Sequence, residues 1–290
     1  MEGVLLWEAL LGLGLGLAFG LVGRWRRLLS TSGAVAVAAV SLVTFAAGGW
    51  EWGAVLCVHL ISAGAWSRFR RGVKASLAHR HALTPLRSAP QVLARTGWAA
   101  LLAILRLAGS SSTLVYAAYV GAIATAVADT WSTQVGMLSP DPPRLITTRA
   151  RAEAGTPGAI SPLGLVAALG GTWLAGLAGL GARALSAWLS MRAYDRRLLW
   201  LPLAAMVAGL AGSLVDSLLG ATAQAVYYCE ACQRTTEDPL HTCPGKEGPV
   251  RRMRGVPWLT DQVVDVVSSL AGATLAAFLV DALAGLVPQW

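Results

Sequence analysis

Charge is scarce in this chain. Only 13% of its 290 residues are Asp, Glu, Lys or Arg, against 55% hydrophobic, and the mean hydropathy is +0.58. A soluble domain carries roughly 25% charged residues, so about half the usual solvating charge is missing and a water-soluble globule is excluded. No stretch reads convincingly as a secretory leader either. Residues 1–22, MEGVLLWEALLGLGLGLAFGLV, place Glu2 and Glu8 where a leader needs a basic segment, so they read as a retained membrane helix. No GxxxxGK[ST] occurs, which excludes a P-loop. No matched inverted repeats with broken helices are visible, which argues against a transporter. Cysteine is sparse: Cys57 stands alone in an apolar run, and the other three share one polar loop.

What the chain does have is long apolar runs. A bilayer core of ~30 Å needs about 20 mostly apolar residues per helix. Runs at 3–22, 33–50, 52–66, 97–109, 113–136, 162–182, 198–222 and 262–288 meet or approach that length. They predict an all-α, polytopic transmembrane bundle of about eight helices, one integral membrane domain over residues 1–290. The third and fourth runs are short, and the fourth contains Arg106. Gly12, Gly14, Gly16, Gly170 and Gly171 suit close helix contact in lipid.

Basic residues orient the bundle, because short loops rich in Lys and Arg stay in the cytoplasm. They occur at 24–27 (RWRR), at 68–95 (Arg68, Arg70, Arg71, Lys74, Arg80, Arg87, Arg95), at 137–161 (Arg144, Arg149, Arg151) and at 223–260 (Arg234, Lys246, Arg251, Arg252, Arg254). With eight helices these loops share one side, so the expectation is a multi-pass protein of the cell membrane with its functional loops in the cytoplasm. Segment 183–197 disagrees, since it would face outward with Arg183, Arg192, Arg196 and Arg197. It reads as an interfacial helix, or the helix count shifts by one there. The net charge of +8 suits anionic lipid or an anionic, phosphorylated substrate.

Carboxylates stand out against this background. Asp129 ends the apolar run YVGAIATAVADTWSTQVG, Asp216 lies near the end of the seventh run, and Asp261 and Asp265 open the eighth, four apart and on one face. All four fall at one depth on one side. A carboxylate within a membrane helix is a functional hypothesis by default. Asp261 also suits a helix start, and Asp129 or Asp216 could pair with a buried arginine such as Arg106. Hard oxygen ligands beside hydroxyls and amides (Thr130, Gln134, Ser217, Gln224, Gln262, Ser268) are what Mg²⁺ asks for when it meets phosphate. Loop 144–164, RLITTRARAEAGTPGAISPLG, adds Thr147, Thr148, Thr156 and Ser161 with Gly155, Gly158 and Gly164, whose backbone can approach an anion. Ser161-Pro162 reads as an N-cap followed by a helix-starting proline. Within the 223–260 loop, Cys229-x-x-Cys232 followed by His241-x-Cys243 has the spacing of a closed, structural Zn²⁺ site.

Taken in order, LSTSGAVAVAAV (29–40), SRFRRGVK (67–74), PQVLARTG (90–97), ADTWSTQVG (128–136), PRLITT (143–148), GTPGAISPLG (155–164), GSLVDSLLGATAQ (212–224) and DQVVDVVSS (261–269) resemble the phytyl-phosphate kinase family of the vitamin E pathway, which includes the transmembrane protein 19 type. The resemblance spans almost the whole chain. It implies a membrane enzyme that moves a phosphoryl group from a nucleoside triphosphate, CTP or ATP, to an isoprenyl monophosphate. In that reading Asp129, Asp216, Asp261 and Asp265 hold Mg²⁺, with Asp129, Asp216 and Lys74 catalytic. Arg144, Arg149, Thr147, Thr148, Gly155, Thr156, Gly158, Ser161 and Gln134 hold phosphates. The family tends to have Glu where this chain has Gln134, and Asn-Gly where it has Thr96-Gly97. Expected partners are the nucleotide, the isoprenyl phosphate and the bilayer, with a homodimer as the oligomeric option and no nucleic acid. A CDP-lipid-forming nucleotidyl transferase, a polyprenol kinase and, last, a transporter stand as alternatives.

Overall fold

The computed structural model describes residues 2–70, 72–74, 86–107, 109, 113–238 and 248–286. Eight long α-helices run through them: α1 (Glu2–Trp25), α2 (Thr31–Val43), α3 (Trp50–Arg68), α4 (Ala89–Leu107), α5 (Thr113–Gly136), α6 (Pro162–Leu189), α7 (Leu201–Thr222) and α8 (Asp261–Ala284). Each apolar run became a helix. Six of the described helices are long and apolar enough to cross a membrane; α3 and α4 are not among these six. At 19 residues each, α3 and α4 still reach roughly 28 Å at 1.5 Å per residue.

α5 is the axis of the bundle. Every residue from Tyr116 to Ala128 is buried, because α3, α4, α6, α7 and α8 all pack against it. Small residues make that possible: a Cβ on Gly121 would overlap Ala276, and one on Gly272 would overlap Thr125. In lipid, where apolar burial gives no net drive, such close backbone approach supplies the packing attraction. The same spacing joins the first two helices. Gly12, Gly16 and Gly20 lie on α2, whereas Gly14 has no neighbour within 4 Å.

Two features correct the sequence expectations. The fourth helix begins at Ala89 and not at 97, so Arg95 belongs to a helix and not to the basic loop. At its start Ser88 N donates to Gln91 Oε1 at 2.9 Å, one half of a capping box. Segment 183–197 is no separate interfacial helix: α6 continues to Leu189, and a 3₁₀ turn, Arg196–Trp200, leads into α7. Arg183 is paired with Glu51 at 2.7 Å, whereas Arg192, Arg196 and Arg197 are exposed.

Two small sheets sit at one end. β1 (Arg144–Leu145) pairs with β2 (Ala159–Ile160), and the 223–260 insert forms a three-stranded antiparallel sheet, β4 (Arg234–Thr236), β3 (Val226–Cys229), β5 (Val250–Arg254) in spatial order. Arg254 pins that sheet to the bundle, its guanidinium donating to Ala221 O at the end of α7 and to Pro157 O at 3.3 Å.

Candidate functional site

The C-terminal ends of α5 and α7 and the N-terminal ends of α4, α6 and α8 meet at the face that carries both sheets. A cavity of about 360 Å³ lies there, lined by Arg87, Arg95, Asp129, Asp216, Glu237 and Asp261 among others. That volume is at the lower end of the range for small-molecule sites. The charged lining comes from α4 and the turn before it, α5, α7, α8 and the insert, positions up to 174 apart in the chain.

Arg95 is the centre of the charge arrangement. Its Nη1 lies 2.8 Å from Asp129 Oδ2 and its Nε donates to Asp265 Oδ2 at 3.0 Å. The Asp265 side chain is only 5% exposed and does not line the cavity, so Arg95 stands between it and the open space. Asp216 Oδ2 accepts from Ser268 Oγ at 3.3 Å, and Ser268 also donates to Asp265 O. Asp261 occupies the first turn of α8, where Thr260 makes no side-chain cap and the helix dipole favours negative charge. The arginine that meets the aspartates is thus Arg95; Arg106 instead donates to Ala47 O, freed by the π-helical turn Thr44–Gly48.

The α6 start is built as its sequence reads. Ser161 is the N-cap, accepting from Gly164 N at 3.1 Å, with Pro162 in the first turn. Gly155, Thr156, Gly158 and Ser161 all face the cavity. Gly158 has φ +80° and rests on Ala221, where any Cβ would overlap backbone, so the loop approaches α7 as only glycine allows. Gln134 lines the wall and accepts from Lys74 Nζ at 3.0 Å; the same amine donates to Trp66 O at 2.6 Å. Arg144, Thr147, Thr148 and Arg149 are not brought to the cavity. They are exposed on the hairpin turn, where Arg144 Nη1 donates to Arg149 O.

Sequence reading passed over Arg87, Gln91, Arg95 and Glu237 as site residues. The buried positions Val92, Thr96, Ala99 and Ala103 mark a helical stripe that could have placed Arg95 beside it. Glu237 had no such signal. It follows β4 and accepts from Gln224 Nε2 at 3.1 Å. The residue as a whole is exposed, but enclosure of its carboxyl in the wall, and then the Asp261 carboxylate, raise it above the usual carboxylate range. Burial and the neighbouring Arg95 pull the Arg87 guanidinium down to about 10, so it stays charged at neutral pH.

The donor chemistry suits a hard cation, but the arrangement is not closed. Among the described residues no three Asp, Glu, His or Cys side chains converge on a point able to hold a metal ion. The Arg95 guanidinium joins two of the expected ligands instead. For the zinc expectation, Cys229 ends β3 and Cys232 lies in the turn to β4; His241 and Cys243 lie outside the described residues.

Fold and site together define a polytopic helical membrane protein with an acidic, arginine-bridged cavity at one membrane face. The chain belongs to the DUF92 family of integral membrane proteins, whose profile matches residues 14–273. It is 31% identical over 266 residues to Protein PGR of Arabidopsis thaliana, covering 87% of this chain and 89% of that protein. It is also 38% identical over 135 residues to an uncharacterized membrane protein of Methanocaldococcus jannaschii, covering 47% of this chain and 50% of that protein. No solved structure matches the chain.

Proposed function

We propose that this protein is a membrane phosphotransferase that moves the γ-phosphoryl group of CTP or ATP to an isoprenyl monophosphate, such as phytyl or geranylgeranyl phosphate, giving the diphosphate. The observation that carries this reading is the composition of the cavity wall: four carboxylates, two guanidiniums, a capped helix N-terminus and a glycine-bearing loop at one membrane face. Phosphoryl transfer asks a protein mainly for positioning and charge neutralisation. Mg²⁺ bound by Asp129, Asp216, Asp261 and Asp265 would neutralise charge on the transferred group. The α6 N-terminus at Ser161, with the loop from Gly155 to Gly158, would take phosphate oxygens through backbone N–H groups. Arg87 and Arg95 take over the neutralising role that Arg144 and Arg149 were expected to fill.

The acceptor is already a phosphate, so its oxygen attacks the γ-phosphorus without needing a strong base. The β–γ bridging oxygen leaves with the nucleoside diphosphate. Lys74 would hold Gln134 in the wall. The isoprenoid tail would extend between helices into lipid, with the cavity facing the cytoplasm, as the loop arginines favour. The test is transfer of γ-³²P from CTP or ATP to geranylgeranyl or phytyl phosphate by detergent-purified protein with Mg²⁺. We expect labelled lipid diphosphate, and a fall of about 10²-fold or more in Asp129→Asn, the scale of losing a transition-state charge contact. Label incorporated from the α-phosphate would show nucleotidyl transfer instead. No label from any donor would remove the enzyme reading.

A further inference from the structure

We propose that Arg95 is a resident cation that keeps the carboxylates closed to free metal and exchanges them for phosphate oxygens when metal and substrate enter together. The inference rests on the phosphotransferase reading and adds to it a residue that controls metal access. One guanidinium reaches two helices, Asp129 on α5 at 2.8 Å and Asp265 on α8 at 3.0 Å. It lines the cavity while Asp265 does not, so withdrawal of this one side chain uncovers a second carboxylate next to Asp129.

The charges set the direction of the exchange. The wall carries Asp129, Asp216, Glu237 and Asp261 against Arg87 and Arg95, and Asp265 lies behind. Removing Arg95 from its carboxylates leaves them without their shared counter-ion, which attracts a divalent ion. A guanidinium fork fits carboxylate and phosphate equally well, so an incoming phosphate offers Arg95 replacement partners. A phosphate therefore releases the metal ligands at the moment it brings a metal with it.

The test measures Mn²⁺ binding by electron paramagnetic resonance to the full chain in detergent, without nucleotide. The wild type should bind Mn²⁺ weakly. Arg95→Met should bind it at least tenfold more tightly, and Arg95→Met with Asp129→Asn should lose that gain. Arg95→Lys, which keeps the charge but reaches only one carboxylate, should bind at least threefold more tightly than wild type; it decides the matter if Arg95→Met does not fold. Affinities of the Arg95 variants within twofold of wild type would overturn the proposal. If transfer still requires Mg²⁺ and Asp129 in that case, the Arg95 inference fails alone. If no variant binds Mn²⁺ and Asp129→Asn transfers label normally, the metal-dependent phosphotransferase reading fails with it.

Discussion

Among the described residues, Lys74 is a charge held without a carboxylate. Its side chain is buried, its two acceptors are the Trp66 carbonyl and the Gln134 amide oxygen, and burial pulls its amine down to about 8 from 10.5. The lowered value means that the folded state binds fewer protons than the unfolded state between about pH 8 and 10.5. This amine's contribution to stability therefore rises with pH across that window, by roughly 3 kcal/mol in all. Thermal unfolding in detergent should show the stability difference between wild type and Lys74→Met growing across this window. Gln134→Glu, which restores the carboxylate common in the resembling family, should raise the Lys74 value and move the slope to higher pH. An unchanged profile in Lys74→Met would show that the amine does not titrate there.

At the scale of elements, the insert is part of the site. β3 and β4 form a hairpin with Cys229 opposite Arg234, and the residue after β4 is Glu237, in the cavity wall. β5 pairs with β3 and holds the bundle through Arg254. A loop of this length cannot bury a core of its own, so a metal at Cys229 and Cys232, completed by His241 and Cys243, would supply the missing folding energy. Purified protein should contain about one zinc per chain by mass spectrometry. Cys232→Ser should lose it and become at least tenfold more sensitive to protease within residues 223–260. A metal-free wild type with an equally resistant insert would refute the zinc site. Here the sequence was legible in part: the Cys229 and Cys232 spacing singled out the insert, while nothing in it pointed to Glu237.

At the scale of the whole molecule, a second polar contact closes the opposite face. Arg183 of α6 pairs with Glu51 of α3 at 2.7 Å and lies 5.1 Å over the Tyr116 ring of α5. Three helices are tied there, at the ends opposite Asp129 on α5 and the Ser161 cap of α6. A double-mutant cycle of Glu51→Gln and Arg183→Met, read by thermal unfolding, should give a coupling of about 1–3 kcal/mol. Neither change should alter Mn²⁺ binding by Arg95→Met, because the two faces share no partner. A coupling near zero would reduce this pair to a surface contact.

The sequence by itself determined the class of protein, the eight helices, the end at which the aspartates gather and the Ser161 cap. Each of these is local: helix length is set by apolar run against bilayer thickness, and a cap by a few neighbouring residues. Only the tertiary structure decided that Arg95 meets Asp265, 170 positions away, that Glu237 enters the cavity and that Arg144 and Arg149 stay outside it. Those outcomes depend on how each helix is rotated about its axis, and rotation is set where backbones touch, as at Gly121 and Gly272 against α8 and α5. Hydropathy carries almost no record of rotation in a helix that is apolar on nearly every side, and α5 is buried all around.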